Sequence, residues 1–261
     1  MPSRDLFPSD WLVTGAYRDT RLGVIKTGKE SEVHLVARTG RDRTTLLAEK
    51  RFKARDRRSF QNNYTYRGVW GEGTFREDRA MKKNTRFGHE AAHARWIGQE
   101  WDSLVLFHNA GVTVPPPVER LDDGYLMAFV GDSERAAPRL SEVDLEPAVA
   151  RRVWGELLDE LSVLVSVDRV HGDLSAFNVL WWRERAVLID FSQTVEIVTH
   201  PAAHDLLVRD ITSLARYFQR RGVELEIDRV MERIGADIHR FTRQLGDTRV
   251  AGRRAPERWR D

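Results

Sequence analysis

The first half of the chain alternates apolar with polar residues, a period that predicts β-strands. Residues 22–38 (LGVIKTGKESEVHLVAR) form two short strands joined by a turn over 27–31, and residues 44–53 (TTLLAEKRFK) form a third. Residues 118–121 and 125–130 flank Asp-Asp-Gly, which predicts a hairpin. The pattern therefore predicts a sheet in this half of the chain.

Helical periods predict one long helix beside this sheet and a mostly helical second half. Residues 89–109 place Trp96, Leu104 and Phe107 on one side, and Gly111 follows as a stop signal. A second helix begins near Pro147. Two short strands, over 179–182 and 186–190, interrupt the helical second half, which resumes near residue 202.

These patterns divide the chain into segments. We expect an N-terminal extension over 1–21, a sheet-rich lobe over 22–130, a linker and helical lobe over 131–245, and a polar tail over 246–261. Within the first lobe, residues 61–88 are rich in Asn, Gly, Arg and Tyr without a clear period, which predicts a long flexible loop. Two lobes imply a cleft between them, where ligands commonly bind.

The composition is that of a globular protein. Hydrophobic residues make up 41% and charged residues 31% of the 261 residues. No apolar run is long enough to predict a membrane span, and the first residues lack a signal-peptide pattern, so we expect a cytoplasmic protein. With no cysteine, disulfides and thiolate chemistry are excluded within this sequence.

The stretch VHGDLSAFNVLWW, residues 170–182, carries the strongest chemical signal. His171, Asp173 and Asn178 fit the H-x-D-L-x-x-x-N pattern of kinase catalytic loops, and Asp190 follows twelve residues after Asn178. Asp173 can accept the proton of an attacking hydroxyl, while Asn178 and Asp190, brought together by the hairpin, can bind Mg²⁺ on phosphates. The alternative is an ordinary polar turn.

Two charged residues on apolar faces need partners. The strand period places Lys50 with Ala48 and Phe52, and the helix period places Glu100 one turn from Trp96 and Leu104. A strand lysine and a helix glutamate position phosphates in kinase-type ATP sites. The alternative is that Lys50 extends to solvent and Glu100 lies at the edge of its face.

Six segments, taken in order, resemble those of RIO kinases, most of all the Rio1 type. They are KTGKESEVHLV, LLAEKRFK, WIGQEWDSLVLFHNAGVTVPPPV, YLMAFVGDSERAAPRL, VHGDLSAFNVLWW and VLIDFSQTVEIVTHPAAHDLLVRDI. The resemblance extends over residues 22–235, and its T-G-K-E-S turn and I-D-F-S-Q…HP run are specific. Gly172 in H-G-D and Phe191 in D-F-S depart from the pattern associated with the Rio1 type.

The resemblance implies an α+β, protein-kinase-like fold with a small β-rich N-lobe containing one long helix and a mostly helical C-lobe. Asp173 would then be catalytic, with Lys50 as the ATP lysine and Glu100 as its partner, and Asn178 and Asp190 would bind Mg²⁺, or Mn²⁺ in its place. The ATP-binding residues that it implies are Thr27, Gly28, Lys29, Glu30, Ser31, Val33, Lys50, Met127 and Phe129.

The activity implied is ATP- and Mg²⁺-dependent phosphorylation of serine, on the chain itself or on a restricted protein partner, or an ATPase switch. No A-P-E motif follows closely after Asp190: the triplet occurs at 255–257, in the polar tail. The sequence therefore predicts no platform of the kind that broad peptide kinases build between these two motifs. The basic segment 50–58 and the 61–88 loop are candidates for contact with a ribonucleoprotein such as a ribosomal subunit. Four residues with hydroxyl groups lie close in sequence to the implied ATP site: Ser59, Thr65, Thr74 and Thr85.

Two other classes of function stay open on the sequence. Small-molecule phosphotransferases of the aminoglycoside or choline kinase kind share H-G-D-x-x-x-x-N and I-D-F, although few residues follow Asp190 here to build their substrate-binding helices. A catalytically inert kinase-like binding module is the other alternative. That second alternative has to explain why every catalytic position is still occupied by a competent residue.

Overall fold

The computed structural model describes residues 6–53, 86–133 and 135–238, and the side chains of the long helix from residue 97 onward. Its first lobe is a five-stranded antiparallel sheet in the order β1-β2-β3-β5-β4. The strands are β1 (Arg18–Thr27), β2 (Ser31–Thr39), β3 (Thr44–Phe52), β4 (Pro117–Leu121) and β5 (Gly124–Ala128). Strand β1 begins before residue 22, so residues 18–21 belong to the sheet and not to the expected extension.

The long helix α1 (Arg86–Ala110) follows β3 in the chain and packs its apolar side into the core. Leu104 and Phe107 are fully buried on that side. Gly111 ends the helix with φ +88°, a left-handed conformation that suits glycine. The helix starts three residues before the predicted residue 89, so 86–88 are helical, and the rest of the predicted 61–88 loop lies outside the described residues.

The second lobe is helical apart from two small antiparallel strand pairs. Its elements are a 3-10 turn (Leu140–Glu142), α2 (Pro147–Ser166), β6 (Arg169–Val170), β7 (Val179–Trp182), β8 (Arg185–Leu188), β9 (Val195–Glu196), α3 (Ala203–Gln219) and a last helix, α4, over 227–238. Strand β8 ends at Leu188, two residues before the predicted end, because Asp190 has left the extended conformation with φ +69°.

One hydrophobic core joins the two lobes. It contains Phe52 and Tyr125 from the sheet, Phe107 from α1, and residues of α2 and α3 such as Leu161 and Leu214. Because α1 packs into this shared core, the positions of its side chains are set relative to both lobes at once. Within the described ranges, no helix is both long and apolar enough to cross a bilayer.

Candidate active site

A cleft of about 980 Å³ lies where the sheet meets the second lobe, within the size range of small-molecule sites. Apolar side chains line it from both lobes, among them Ile25 and Ala48 of the sheet and Leu180 and Ile189 of the hairpin. Among the predicted site residues, those that line the cleft are Gly28, Lys29, Glu30, Ser31, Val33, Lys50, Met127, Phe129 and Asp190.

The turn between β1 and β2 differs in part from the expected phosphate loop. Thr27 is exposed at the end of β1, paired with Glu32, and is not among the cleft-lining residues. The amide of Gly28 donates to the carbonyl oxygen of Ser31 (2.8 Å), which closes the turn on itself. This N–H is therefore used within the turn, so it could donate to a phosphate only if the turn opened.

Lys50, Glu100 and Asp190 meet at the inner side of the cleft, from three different elements. Nζ of Lys50 donates to Oε1 of Glu100 and to Oδ1 of Asp190, the latter at 3.1 Å. Lys50 is 7% exposed and Glu100 is fully buried. The alternative that Lys50 extends to solvent is therefore wrong, and the predicted pairing of strand lysine and helix glutamate is present.

The charges in this cluster stabilise one another. Burial alone would lower the pKa of Lys50, but the carboxylates of Glu100 and Asp190 outweigh burial and raise it well above its ordinary value. Burial tends to raise the pKa of Asp190, and the Lys50 ammonium reverses this and lowers it. Burial raises the pKa of Glu100, with Lys50 acting in the opposite direction. At neutral pH the cleft thus presents an ammonium and the ionised Asp190 carboxylate.

Two residues that sequence reasoning missed support this cluster. The hydroxyl of Tyr125 donates to Oε1 of Glu100 (3.2 Å), and Tyr125 lies opposite Lys50 in the β3–β5 register. Ser192 lines the cleft and its side chain donates a hydrogen bond to Asp190. The strand alternation offered a signal for Tyr125, since Lys50 and its cross-strand partner share one face of the sheet.

The catalytic-loop residues form a second group beside the first. Nδ2 of Asn178 donates to the backbone oxygen of Asp173 (2.8 Å) and to its Oδ2 (3.1 Å). Asp173 is exposed, whereas Asn178 is buried. The amide of Ile189 donates to the carbonyl oxygen of Asn178 (3.0 Å), extending the β7–β8 pairing by one residue. This pairing brings Asn178 next to Asp190, as the hairpin predicted.

The donor set fits a magnesium ion shared with phosphates. Because the amide nitrogen of Asn178 is occupied by Asp173, its oxygen is left to face away from that carboxylate. Asp190 supplies an ionised carboxylate. The described residues contain no cluster of three or more His, Cys, Asp or Glu side chains that could bind a metal by itself. Mg²⁺ is commonly held by one or two carboxylates together with substrate phosphates, and this pair offers the oxygen donors that such a site uses.

Glycine at position 172 has a steric reason in this loop. Gly172 has φ +80°, and a Cβ there would lie 2.2 Å from the backbone oxygen of Gln193. Beside it, His171 is fully buried, and its Nε2–H donates to the carbonyl oxygen of Ile189 (3.2 Å). Burial lowers the pKa of His171, so the ring is neutral. The H-G-D sequence thus connects the loop around Asp173 to the segment after β8 that carries Asp190.

Phe191, the other departure in the motif, anchors the chain just after Asp190. Its ring packs edge-on against Phe107 of α1 at 5.1 Å between centroids and lies 5.4 Å from the ring of His171. Phe191 is 2% exposed. The bulky side chain therefore connects the position of Asp190 to the helix that carries Glu100.

Asp210, on α3, holds the catalytic loop and was not predicted. Its two carboxylate oxygens accept hydrogen bonds from the amides of Gly172 (2.8 Å) and Leu174 (2.9 Å), on either side of Asp173. Burial raises the pKa of Asp210 to about 7, against the opposing effect of these two bonds. Asp210 shares a helix face with buried Leu207 and Leu214. A carboxylate on an apolar helix face is the same sequence signal that predicted a partner for Glu100.

The basic segment proposed for ribonucleoprotein contact is only partly described. Lys50 is buried in the site, Arg51 pairs with Asp123, and Lys53 pairs with Glu32 (3.1 Å). The described cations of the segment therefore have partners within the chain, and contact with a ribonucleoprotein stays a prediction. The rest of the segment, residues 54–58, and the polar tail lie outside the described residues. The same holds for the four hydroxyl residues, Ser59, Thr65, Thr74 and Thr85.

Comparison with known proteins identifies the family. The RIO domain family (RIO1) matches residues 36–230, which is most of the chain. The chain therefore belongs to the RIO family, and the predicted α+β kinase-like fold is confirmed at the level of the family.

The similar curated proteins are named as kinases. The RIO-type serine/threonine-protein kinase Rio1 of Haloferax volcanii is 31% identical over 229 residues, which are 87% of this chain and 72% of that protein. Rio1 of Thermoplasma acidophilum is 30% identical over 139 residues, 53% of this chain and 72% of that protein. The serine/threonine-protein kinase RIO3 of Homo sapiens is 31% identical over 223 residues, which are 82% of this chain but only 41% of RIO3.

Among solved structures, the granulovirus kinase PK-1 of Cydia pomonella granulovirus matches with a TM-score of 0.43 and 16% identity, covering 68% of this chain and 52% of that one. At that score the likeness adds nothing to the family match. The expected class of enzyme, a kinase of the RIO family, is confirmed by the family match and the named relatives. The same match decides against the small-molecule phosphotransferase.

Proposed function

We propose that this protein transfers the γ-phosphate of ATP, with Mg²⁺, to serine on a restricted protein acceptor or on itself. The observation that supports this most is the meeting of Lys50, Glu100 and Asp190 at the cleft, beside the Asp173–Asn178 pair. These five residues supply a phosphate-binding cation, its support, two metal ligands and a proton acceptor.

Each residue has a separate task in the proposed reaction. Protonated Lys50, held by Glu100, binds the phosphates, while the apolar walls of the cleft bind the adenine ring. Asn178 and Asp190 hold Mg²⁺, which neutralises charge on the phosphates. Asp173 orients the serine hydroxyl and accepts its proton as the hydroxyl oxygen bonds to the γ-phosphorus. The bond from that phosphorus to the β–γ bridging oxygen breaks, and ADP leaves with the electron pair.

The acceptor is proposed to be restricted because little chain is available to bind an extended peptide. Helix α3 begins at Ala203, soon after Asp190, and the short β9 pairs with β6 in between. Asp173 is exposed, so a hydroxyl from a partner can reach it. Water in place of serine would give ATP hydrolysis, the ATPase switch predicted from the resemblance. Cytoplasmic location and contact with a ribosomal subunit remain predictions.

The direct test is titration of the protein with the non-hydrolysable ATP analogue AMP-PNP, with and without Mg²⁺. The wild type is expected to bind far more tightly with Mg²⁺, and Asp190→Ala is expected to lose most of that difference. Asp205→Ala is the control, because Asp205 is an exposed aspartate at the start of α3. An Asp190→Ala variant that keeps the full effect of Mg²⁺ contradicts the proposed metal site.

The reaction itself is tested with labelled ATP and candidate acceptors. The protein alone, a generic basic protein, a peptide library, an aminoglycoside and ribosomal subunits are each supplied separately. Label on serine of the protein or of one partner supports the proposal, and release of inorganic phosphate alone supports the ATPase form. Rapid labelling of many unrelated peptides contradicts a restricted acceptor, and binding without any turnover supports the inert module.

A further inference from the structure

Residues 6–13, which we name the N-terminal strap, cross from one lobe to the other outside the cleft. At its C-terminal end, which we call the upper end, the strap is hydrogen-bonded to Thr45 of β3. The Thr45 hydroxyl donates to the carbonyl oxygen of Trp11 (2.8 Å) and accepts from the amide of Val13 (3.1 Å). Thr45 is only 7% exposed, and the bond from the Val13 amide is buried, which strengthens it.

Further contacts hold the same end of the strap. Arg43 donates to the carbonyl oxygen of Leu12 (2.9 Å) and pairs with Asp10 (3.2 Å). The side chains of Trp11 and Leu12 pack on a buried cluster of the sheet formed by Val36, Leu47 and Leu126. The upper end of the strap thus moves with the N-lobe sheet.

The lower, N-terminal end of the strap packs into a different hydrophobic cluster. Leu6 is 7% exposed and belongs to one buried group with Val130, Ala137 and Val187. Val187 comes from β8 of the second lobe, whereas Val130 follows β5 of the first. Phe7 packs at the edge of this group and its ring meets that of Trp11 at 5.4 Å, which connects the two ends.

The cluster around Leu6 lies directly behind the nucleotide cleft. Val130 and Ala137 both line the cleft, and the amide of Ala137 donates to the carbonyl oxygen of Val130 (2.9 Å). Leu180, which packs against the Leu6 cluster, also lines the cleft. Side chains that form the wall of the cleft therefore rest, in part, on Leu6, which is not itself among the lining residues.

We infer that Leu6 is a positioning residue for nucleotide binding, acting through Val130 and Ala137 and held in place by the strap. The inference rests on the proposed function, because it takes the cleft to be the ATP site. Removing the Leu6 side chain leaves space behind the wall, and the wall then relaxes away from its binding arrangement. If the competent fraction falls to about a fifth, the apparent dissociation constant rises about fivefold.

The test measures the dissociation constant of AMP-PNP with Mg²⁺ for folded variants. Leu6→Ala is expected to raise it about fivefold, Thr45→Val to raise it less by loosening the other end, and Leu6→Met to restore it. Leu22→Ala is the matched control, since Leu22 is 56% exposed and does not line the cleft. Should Leu6→Ala not fold, Leu6→Val gives a smaller change of the same sign.

A second readout separates positioning from simple stability. Linkage is reciprocal, so nucleotide binding that favours the packed cleft wall also favours the arrangement in which Leu6 packs behind it and the strap is bound to Thr45. Saturating AMP-PNP should therefore slow hydrogen exchange at the Val13 amide. Wild-type binding by a folded Leu6 variant, or unchanged exchange at Val13 on saturation, overturns the inference while the proposed function stands. A wild-type protein that does not bind AMP-PNP overturns the proposed function first, and the inference with it.

Discussion

The cluster of Lys50, Glu100 and Asp190 is held together by charge, whereas the loop around Asp173 is held by hydrogen bonds to its backbone. Lys50, Glu100 and Asp190 come from a strand, a helix and a hairpin and are joined by their opposite charges. Asp173 is placed differently, since the amides on either side of it are bound by Asp210. Removing one charge should therefore disturb the first region, while the second should respond to changes in backbone geometry.

The largest effect is expected from Lys50→Met, which leaves two carboxylates without their cation. Breaking a buried ion pair by removing one partner costs about 3–5 kcal/mol of stability. We expect a loss near the lower end, because Glu100 can take up a proton. Arg51→Ala on the same strand is the control, since its pair with Asp123 is largely exposed and is worth less than about 1 kcal/mol. Urea unfolding measures both.

A double-mutant cycle with Glu100→Gln sharpens the same test. If the two side chains act as a unit, the loss of turnover in the Lys50→Met, Glu100→Gln double variant will be smaller than the product of the single losses. Strict additivity would mean that the contact between Lys50 and Glu100 contributes nothing to catalysis. It would contradict the view that their opposite charges make these two side chains act as a unit.

Next in size is Asp173→Asn, which removes the proton acceptor without changing shape. We expect kcat to fall about 100-fold or more, the scale of general-base and positioning effects, while the dissociation constant of AMP-PNP changes less than about twofold. The reason is that Asp173 lies outside the cleft lining. Single-turnover kinetics and titration separate the two quantities, and normal turnover would exclude Asp173 as the base.

The backbone-held region is tested by Gly172→Ala against Gly222→Ala. Both glycines have left-handed φ angles, +80° and +73°, so both variants pay a strain of about 1–2 kcal/mol. Only at Gly172 would the new Cβ collide with a backbone oxygen, that of Gln193, whereas Gly222 has no atom within 4 Å. We expect an extra loss of about 2 kcal/mol at Gly172, together with reduced kcat. Equal losses in the free energy of unfolding, measured with urea, would show that the loop around Gly172 shifts to accept the new Cβ at no cost.

The last prediction is a pH dependence of stability due to Asp210. Burial raises the pKa of Asp210 to about 7 in the folded protein, against about 3.9 in unfolded chains. Between these values the folded state keeps a proton that the unfolded state releases, so stability falls as pH rises, by about 1.4 kcal/mol per pH unit. Above about pH 7 both states are ionised and this slope disappears.

Asp210→Asn should abolish that slope, because asparagine does not titrate. The readout is the difference between wild type and variant in the free energy of unfolding at several pH values from 4 to 8. Asp205→Asn, exposed on the same helix, serves as control and should leave the slope unchanged. A constant difference between wild type and Asp210→Asn across this range would mean that the carboxylate is ionised throughout.

Local patterns predicted the elements and the faces of the two key charged residues. Strand alternation placed Lys50 on a buried face and the helix period placed Glu100 among Leu104 and its neighbours, and both are buried as expected. The β7–β8 hairpin brought Asn178 beside Asp190, because a two-residue turn fixes the register of its strands. The boundaries of β1, β8 and α1 were each displaced by a few residues, since hydrogen bonds outside the pattern decide where elements end.

The sequence by itself determined the family, the order of the motifs and which polar residues must find partners inside the fold. Beyond the predicted pair of Lys50 and Glu100, only the tertiary structure decided which residues those partners are. Asp190 contacts Lys50 across 140 positions of chain, Asp210 of α3 binds the loop around Asp173, and the Gly28 amide is used within its own turn. The physical reason is that periodicity reports only which side of an element faces the core. The hydrogen bonds made there depend on elements that approach from elsewhere in the chain.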